Sequence, residues 1–233
     1  GHRIVLFRDL IKIKYDLEQH KYIITKFITH TKKDISMSEV DPLEQRKSKY
    51  DVNPLLLKRW SPRSFVHYEI PDDDLFSLFE AGRWAPSSYN GQPWRFIYAK
   101  RNNSKDWDKF LNLLIDFNKS WAKNSSVLVV VISRKNFEYN NKPSITHQFD
   151  AGAAWENLAL QATYKGLATH GMEGFDYERA RTELQIPDEY DVLAMIAIGK
   201  QGSKELLSSE IQQRENPSDR KQLEEIIMEG SFK

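Results

Sequence analysis

The chain predicts an α+β fold in which helices surround a mixed sheet, and three stretches carry that expectation. Val127–Ile132 is an unbroken apolar run, the pattern of a central strand buried on both faces. Leu75, Phe76, Leu78 and Phe79 follow Pro71 and three aspartates at helical spacing, which reads as a helix whose buried stripe these four form, ending at Gly82. Asp150–Lys165 carries Ala151, Ala153, Ala154, Ala159 and Ala162 before Gly166. Small residues on two faces admit a close neighbour, so this stretch reads as the central helix of the core or of a dimer interface.

The elements follow in order. Residues 1–50 form a basic, polar extension in which Leu6, Leu10, Ile13 and Leu17, with Ile24 and Phe27, line one side of one or two helices. Such a helix also suits a membrane surface, but Asp9, Asp16 and Glu18 interrupt its positive face, so an arm packed on protein is the expectation. Thr31–Lys49 reads as a mobile connector, and the organised domain occupies residues 51–233, starting near Val52. Acidic Asp72, Asp73 and Asp74 suit the positive end of a helix dipole. Trp94–Ala99 alternates as a strand, and Asp106–Phe117 carries Phe110, Leu111, Leu114 and Ile115 as a second amphipathic helix. Asn136–Ser144, polar, aromatic and holding Pro143, reads as a loop and a candidate lid. Ala168–Met172 is a short strand, Asp176 caps a helix running to Leu184, and Val192–Ile198 is a last buried strand.

Composition narrows the function. With 40% hydrophobic and 29% charged residues the chain is globular rather than disordered. Its 34 basic and 33 acidic residues nearly cancel, which gives no electrostatic reason to expect nucleic acid. Cysteine is absent, removing disulfides, thiolate nucleophiles and cysteine metal sites. No stretch reaches the roughly 20 apolar residues of a bilayer span, and Arg8 and Asp9 break the apolar start, so no membrane association and a cytoplasmic location are expected. His2, His20, His30, His67, His147 and His170 show no metal-ligand spacing. Gly199-Lys200-Gln201-Gly202 lacks the third glycine of a dinucleotide fingerprint, and no Gly-x-Ser-x-Gly elbow occurs.

Two blocks one helix apart remain. Lys58-Arg59-Trp60-Ser61-Pro62-Arg63-Ser64 sets two arginines around a serine and a stiffening proline. Alone it reads as a solvated surface turn. Pro86-Ser87-Ser88-Tyr89-Asn90-Gly91-Gln92-Pro93-Trp94 gathers four side-chain hydrogen-bonders on a proline- and glycine-shaped loop. Arginine forks match phosphate geometry, and such loops converge polar groups on a ligand. Together the blocks suit a phosphorylated, hydrogen-bond-rich cofactor.

The two blocks resemble the Arg-x-Ser-x-Lys/Arg and Pro-Ser-Ser-x-Asn-x-Gln-Pro-Trp elements of the FMN-dependent nitroreductase family. Asp150-Ala151-Gly152-Ala153-Ala154 with Asn157-Leu158 resembles the family's central dimer helix, and Met172-Glu173-Gly174-Phe175 its flavin-edge strand end. Ile196-Ala197-Ile198-Gly199 resembles its penultimate strand, and Asp219-Arg220-Lys221 with Leu223-Glu224-Glu225 the tail that returns to the phosphate. The likeness runs from about residue 52 to the end. It implies an intertwined homodimer with FMN at the subunit interface. Arg59, Ser61 and Arg220 would hold the phosphate, Trp60 would lie beside the cofactor's tail, and Arg63 would sit at the N1/O2 edge of the ring. Pro86, Ser87, Ser88 and Asn90 would reach over from the other subunit, with Gln92 shaping the loop, while Glu173 and Gly174 would offer backbone groups to the N5 side. Trp60 departs from the polar, often histidine, residue common at its place. The implied activity moves hydride from NADPH or NADH to a nitroaromatic or quinone, ping-pong in one site. A reductive dehalogenase, a flavin-fragmenting enzyme and a non-catalytic flavin-binding protein share the same implied site.

Overall fold

The computed structural model describes residues 40–232, so the expected N-terminal arm lies outside the described residues. Two short helices open the described part. Asp41 accepts from the Leu43 N–H (2.9 Å) to cap α1 (Pro42–Gln45), and Asn53 accepts from the Leu55 N–H (2.9 Å) to cap α2 (Pro54–Lys58), each with proline in its first turn. The first of these turns falls within the stretch read as a connector.

The chain then forms β1 (Phe65–Val66), α3 (Asp72–Arg83) and β2 (Trp94–Lys100). After these come α4 (Ser104–Leu113), α5 (Asp116–Ala122) and β3 (Val127–Arg134). The last elements are α6 (His147–Tyr164), β4 (Ala168–Met172), α7 (Tyr177–Glu183), β5 (Tyr190–Gln201) and α8 (Ser209–Gln212). β5 is the hub of the five-stranded sheet. It pairs with β3 from Val127↔Ile198 to Arg134↔Tyr190, with β4 through Ala168↔Gly199 to Met172↔Met195, and with β1 through Phe65↔Gln201; β2 closes the far side of β3.

The α+β class stands, but every pairing among the described residues is antiparallel, where a mixed sheet was expected. The apolar run of β3 is buried on both faces because helices cover both sides of an antiparallel sheet. Leu128, Val130 and Ile132 pack with Trp107 and Phe110 of α4, Trp121 of α5 and Ala180 of α7. Val127, Val129 and Val131 pack with Leu75 and Leu78 of α3 and Leu158 and Ala162 of α6.

Helix α6 shows what its alanines do. Ala151, Ala154, Ala159 and Ala162 are buried, and α3 comes so close that a Cβ on Gly82 would lie 3.2 Å from the Ala154 carbonyl oxygen. Gly166 (φ +72) ends the helix, donating to Thr163 O (3.1 Å) while Leu167 N donates to Ala162 O (2.8 Å), both bonds of a Schellman cap. Two local expectations are corrected. Phe76 is half exposed rather than buried, because the core stripe of α3 runs through Leu75, Leu78 and Gly82. The helix expected over Asp106–Phe117 breaks after Leu113: Ile115 N donates to Gly174 O (3.1 Å) and Leu114 bridges to Phe175, so a long-range tie outcompetes helical continuation.

Candidate functional site

The arginine block is an extended segment between α2 and β1, held from beneath by distant parts of the chain. Trp60 is buried and donates Nε1–H to Gln201 Oε1 (3.2 Å). Ser64 donates its hydroxyl to Ser203 O (2.5 Å), and Gly202 N donates to Ser64 O (2.9 Å). The key tie is Glu215, a carboxylate only 2% exposed, whose Oε1 accepts from both the Arg63 N–H (2.7 Å) and the Ser64 N–H (2.8 Å). Its Oε2 lies 4.0 Å from Arg63 Nη1 and has no hydrogen-bond partner, and Arg63 Nε is likewise buried without one. Burial lowers the Arg63 pKa, with Glu215 opposing the effect and Arg214 adding to it. His170 of β4 completes the underside. Its Nδ1 lies 3.0 Å from Pro62 O and its ring sits 4.6 Å from that of Trp121; burial pushes its pKa down to about 4, so it is neutral at physiological pH.

Three guanidinium groups gather at the start of this segment. Arg59 donates Nη1–H to Ser61 Oγ (3.4 Å), and its Nε lies 3.7 Å from Glu156 of α6. Arg46 donates Nη1–H to Leu57 O (3.0 Å) and Arg59 O (2.7 Å), and Nε–H to Ser218 O (3.0 Å). Arg220 reaches the same Ser218 O (3.3 Å) and its Oγ (3.1 Å). The Arg46 pKa is lowered by burial and by the charges of Arg220 and Arg59, against Asp219. The sequence reading names Arg59, Ser61 and Arg220 but passes over Arg46 and Glu215. Neither sits in a motif, and the contacts to Ser218 and Ser64 span 172 and 151 residues.

The second block is a strained, outward-facing loop. Tyr89 (φ 50), Asn90 (φ 54) and Gln92 (φ 46) all lie in the left-handed region without being glycine. The loop ties itself down: Gln92 N donates to Ser87 Oγ (3.1 Å) and Gln92 Nε2 to Asn90 O (3.1 Å). Its anchor on the core is buried Asp150 of α6, whose Oδ2 accepts from Ser88 N (3.1 Å) and from the Thr146 hydroxyl (3.3 Å). Pro86 and Asn90 are exposed, and Tyr89 is 82% exposed. The segment read as a candidate lid lies against this loop, with Phe137 edge-on to Tyr89 at 5.8 Å. A cavity of about 470 Å³ lies between them, lined by Tyr89, Asn90, Gln92, Arg95, Glu138 and Tyr139. Among the described residues no hydrogen bond or ion pair joins this loop to the arginine block.

Glu173 is exposed beside Gly174 at the end of β4. The Gly174 carbonyl is taken by Asn118 Nδ2 (3.1 Å) and Ile115 N (3.1 Å), which leaves its N–H as the group able to face a ligand. A Cβ there would lie 2.6 Å from Asn118 Nδ2 and 2.7 Å from Ile115 Cδ1, so a larger residue would push both side chains aside. Among the described residues no cluster of His, Asp and Glu could hold a metal, and no helix is long and apolar enough to cross a membrane.

The chain matches the model of the nitroreductase family over residues 56–124 and 116–200. It is 39% identical over 85 residues to an oxygen-insensitive NADPH nitroreductase of Helicobacter pylori, a match covering 36% of this chain and 39% of that protein. It thus spans about two fifths of the length of the first curated relatives it matches. Among solved structures it is similar to one described as an oxidoreductase containing FMN, with 44% identity and a TM-score of 0.78 over 84% of this chain and 99% of that one. A putative nitroreductase of Desulfovibrio desulfuricans in complex with FMN aligns at 25% identity and a TM-score of 0.61, over 78% of this chain and 100% of that one.

Proposed function

The chain belongs to the nitroreductase family, and from that premise we propose that it is an FMN-dependent oxidoreductase working as a homodimer with NADPH or NADH as electron donor. The observation that carries the reading is the gathering of Arg46, Arg59 and Arg220 beside Ser61, three cations and a hydroxyl that suit a phosphate monoester. The buried, unpartnered Nε of Arg63 further along the same segment fits a ligand acceptor arriving there.

In this reading Arg59, Ser61 and Arg220 bind the phosphate, and Trp60, locked by Gln201, walls the cofactor's tail. Arg63, held by Glu215, places positive charge at the N1/O2 edge of the ring. The Gly174 N–H, and the neighbouring Glu173, face the N5 side. Pro86, Ser87, Ser88 and Asn90 come from the partner subunit, with Gln92 fixing their loop; this explains why the loop points outward from its own chain. When bound, FMN supplies the redox chemistry, taking reducing equivalents from the nicotinamide and giving them to a second small molecule such as a nitroaromatic or quinone. Donor and acceptor use the one site in turn. No side chain of the site has to act as acid or base.

Anaerobic mixing of the FMN-loaded protein with NADPH or NADH tests the activity. Bleaching of the oxidised flavin absorbance is the expected result, whereas a flavin that stays oxidised with both donors leaves a flavin-binding protein without this activity. Sedimentation showing a stable FMN-loaded monomer overturns the shared site.

A further inference from the structure

Arg46 lies upstream of the family match at residues 56–200, inside the stretch that the sequence alone sets aside as an extension. Its hydrogen bonds nevertheless join the two segments that carry the expected phosphate ligands. One guanidinium edge holds the carbonyls of Leu57 and Arg59, and Nε holds the carbonyl of Ser218, which Arg220 also contacts. Residues 59 and 220 are brought together by a side chain that belongs to neither segment. Among the described residues Nη2 of Arg46 donates to nothing.

We propose that Arg46 is a positioning residue of an anion site: it locks the Arg59 and Arg220 segments in register so that both guanidinium groups converge on one phosphate. The inference rests on the FMN reading above. Gathering three like charges is unfavourable unless an anion offsets them. The carboxylates facing the cluster are Glu156, 3.7 Å from Arg59, and Asp219 beside Arg220; Asp219 accepts only from the Arg220 backbone N–H. A dianionic phosphate supplies the missing compensation. The geometry also asks for arginine specifically. A planar fork can hold three carbonyl oxygens at once along two edges, whereas the compact ammonium of lysine is a point charge on a flexible stem.

The test compares FMN with riboflavin, which lacks the phosphate, on the full-length apoprotein. Dissociation constants come from flavin fluorescence quenching for the parent, Arg46→Gln and Arg46→Lys, alongside melting temperatures with and without inorganic phosphate. Arg46→Gln should weaken FMN by roughly tenfold or more, with riboflavin unchanged. Arg46→Lys should recover only part of that loss, since it restores charge without the tie. Equal weakening of FMN and riboflavin overturns the proposal, because a general loosening of the fold does not discriminate phosphate; full recovery by lysine overturns the tie. If Arg46→Gln fails to fold, the FMN-to-riboflavin affinity ratio of Arg46→Lys decides: a reduced ratio supports the tie and an unchanged one overturns it. Should the parent bind neither flavin, the FMN reading falls separately. Protection by inorganic phosphate that is lost in the variant then upholds the anion site, and absence of protection in the parent overturns it.

Discussion

The Arg59–Ser64 segment and the Pro86–Trp94 loop carry the two halves of the proposed ligand set, and the chain holds them by opposite means. The first is extended, and its anchors come from far along the sequence: Glu215 beneath its amides, Gln201 on Trp60, and His170 against Pro62. The second turns on itself through three left-handed residues, with Asp150 its side-chain anchor on α6. Left-handed backbone costs a non-glycine residue roughly 1–2 kcal/mol, so this loop spends stability to aim side chains outward. A segment buried at its base can fix charge to within a fraction of an ångström. A strained loop exposed at its tip suits a group that has to reach a surface outside its own fold. The contrast teaches that the chain's own core fixes the arginine segment, whereas the loop is aimed outward, as the proposed shared site requires.

The sharpest way to break this contrast is to remove Glu215. Glu215→Ala leaves two amides without their acceptor and a largely buried guanidinium without its partner, a loss of about 4 kcal/mol on general grounds. Urea denaturation of the apoprotein measures it. A loss below 1 kcal/mol would make the arginine segment no better anchored than the loop.

His170 tests the same anchoring through pH. Its folded pKa of about 4 lies below the ordinary 6.5, so the unfolded chain takes up a proton that the native chain refuses. Its contribution is fully present above about pH 6.5 and is lost as pH falls toward 4, by about 3 kcal/mol over that window. Denaturation midpoints measured across this range should fall with acidification, and His170→Gln should flatten the slope. An unchanged slope in the variant would assign the acid sensitivity to other groups.

On the loop side, Asp150→Ala removes the acceptor for Ser88 N–H and the Thr146 hydroxyl, with an expected cost of about 2 kcal/mol. Hydrogen exchange should then quicken at residues 87–92 while β1 and its approach stay protected. Equal quickening in both regions would show that the two halves are mechanically coupled.

Much of the frame was legible because its determinants are local. Asp72–Asp74 after Pro71, Asp176 before α7 and Gly166 after α6 act within a turn of where they sit, and each marks an element end as read. The run of β3 declared burial on both faces but not strand direction, since helices can cover an antiparallel sheet as well as a parallel one. The break between α4 and α5 escaped the reading because Gly174, some sixty residues later, makes it. The candidate motifs were visible as residue types, whereas their supports were not: Asp150 and Glu215 bear on them only through long-range hydrogen bonds, and Arg46 through carbonyls 11, 13 and 172 residues away that no motif marks.

The smallest expected effect separates two roles within the anchored segment. Arg63→Gln removes a charge that Glu215 already offsets in part. Oxidised FMN should still bind, while the two-electron reduction potential falls by about 30 mV, equivalent to about 1.4 kcal/mol. Weakened binding at an unchanged potential would move Arg63 from the ring edge to the phosphate.

The Arg63 expectation presupposes that the two halves together hold FMN, and the chromophore of the purified protein tests that central claim most directly. The account predicts a yellow protein with flavin absorption bands, whose chromophore, released by denaturation, is FMN, and an apoprotein that takes FMN back with dimer formation. A colourless protein that takes up no added FMN would contradict it.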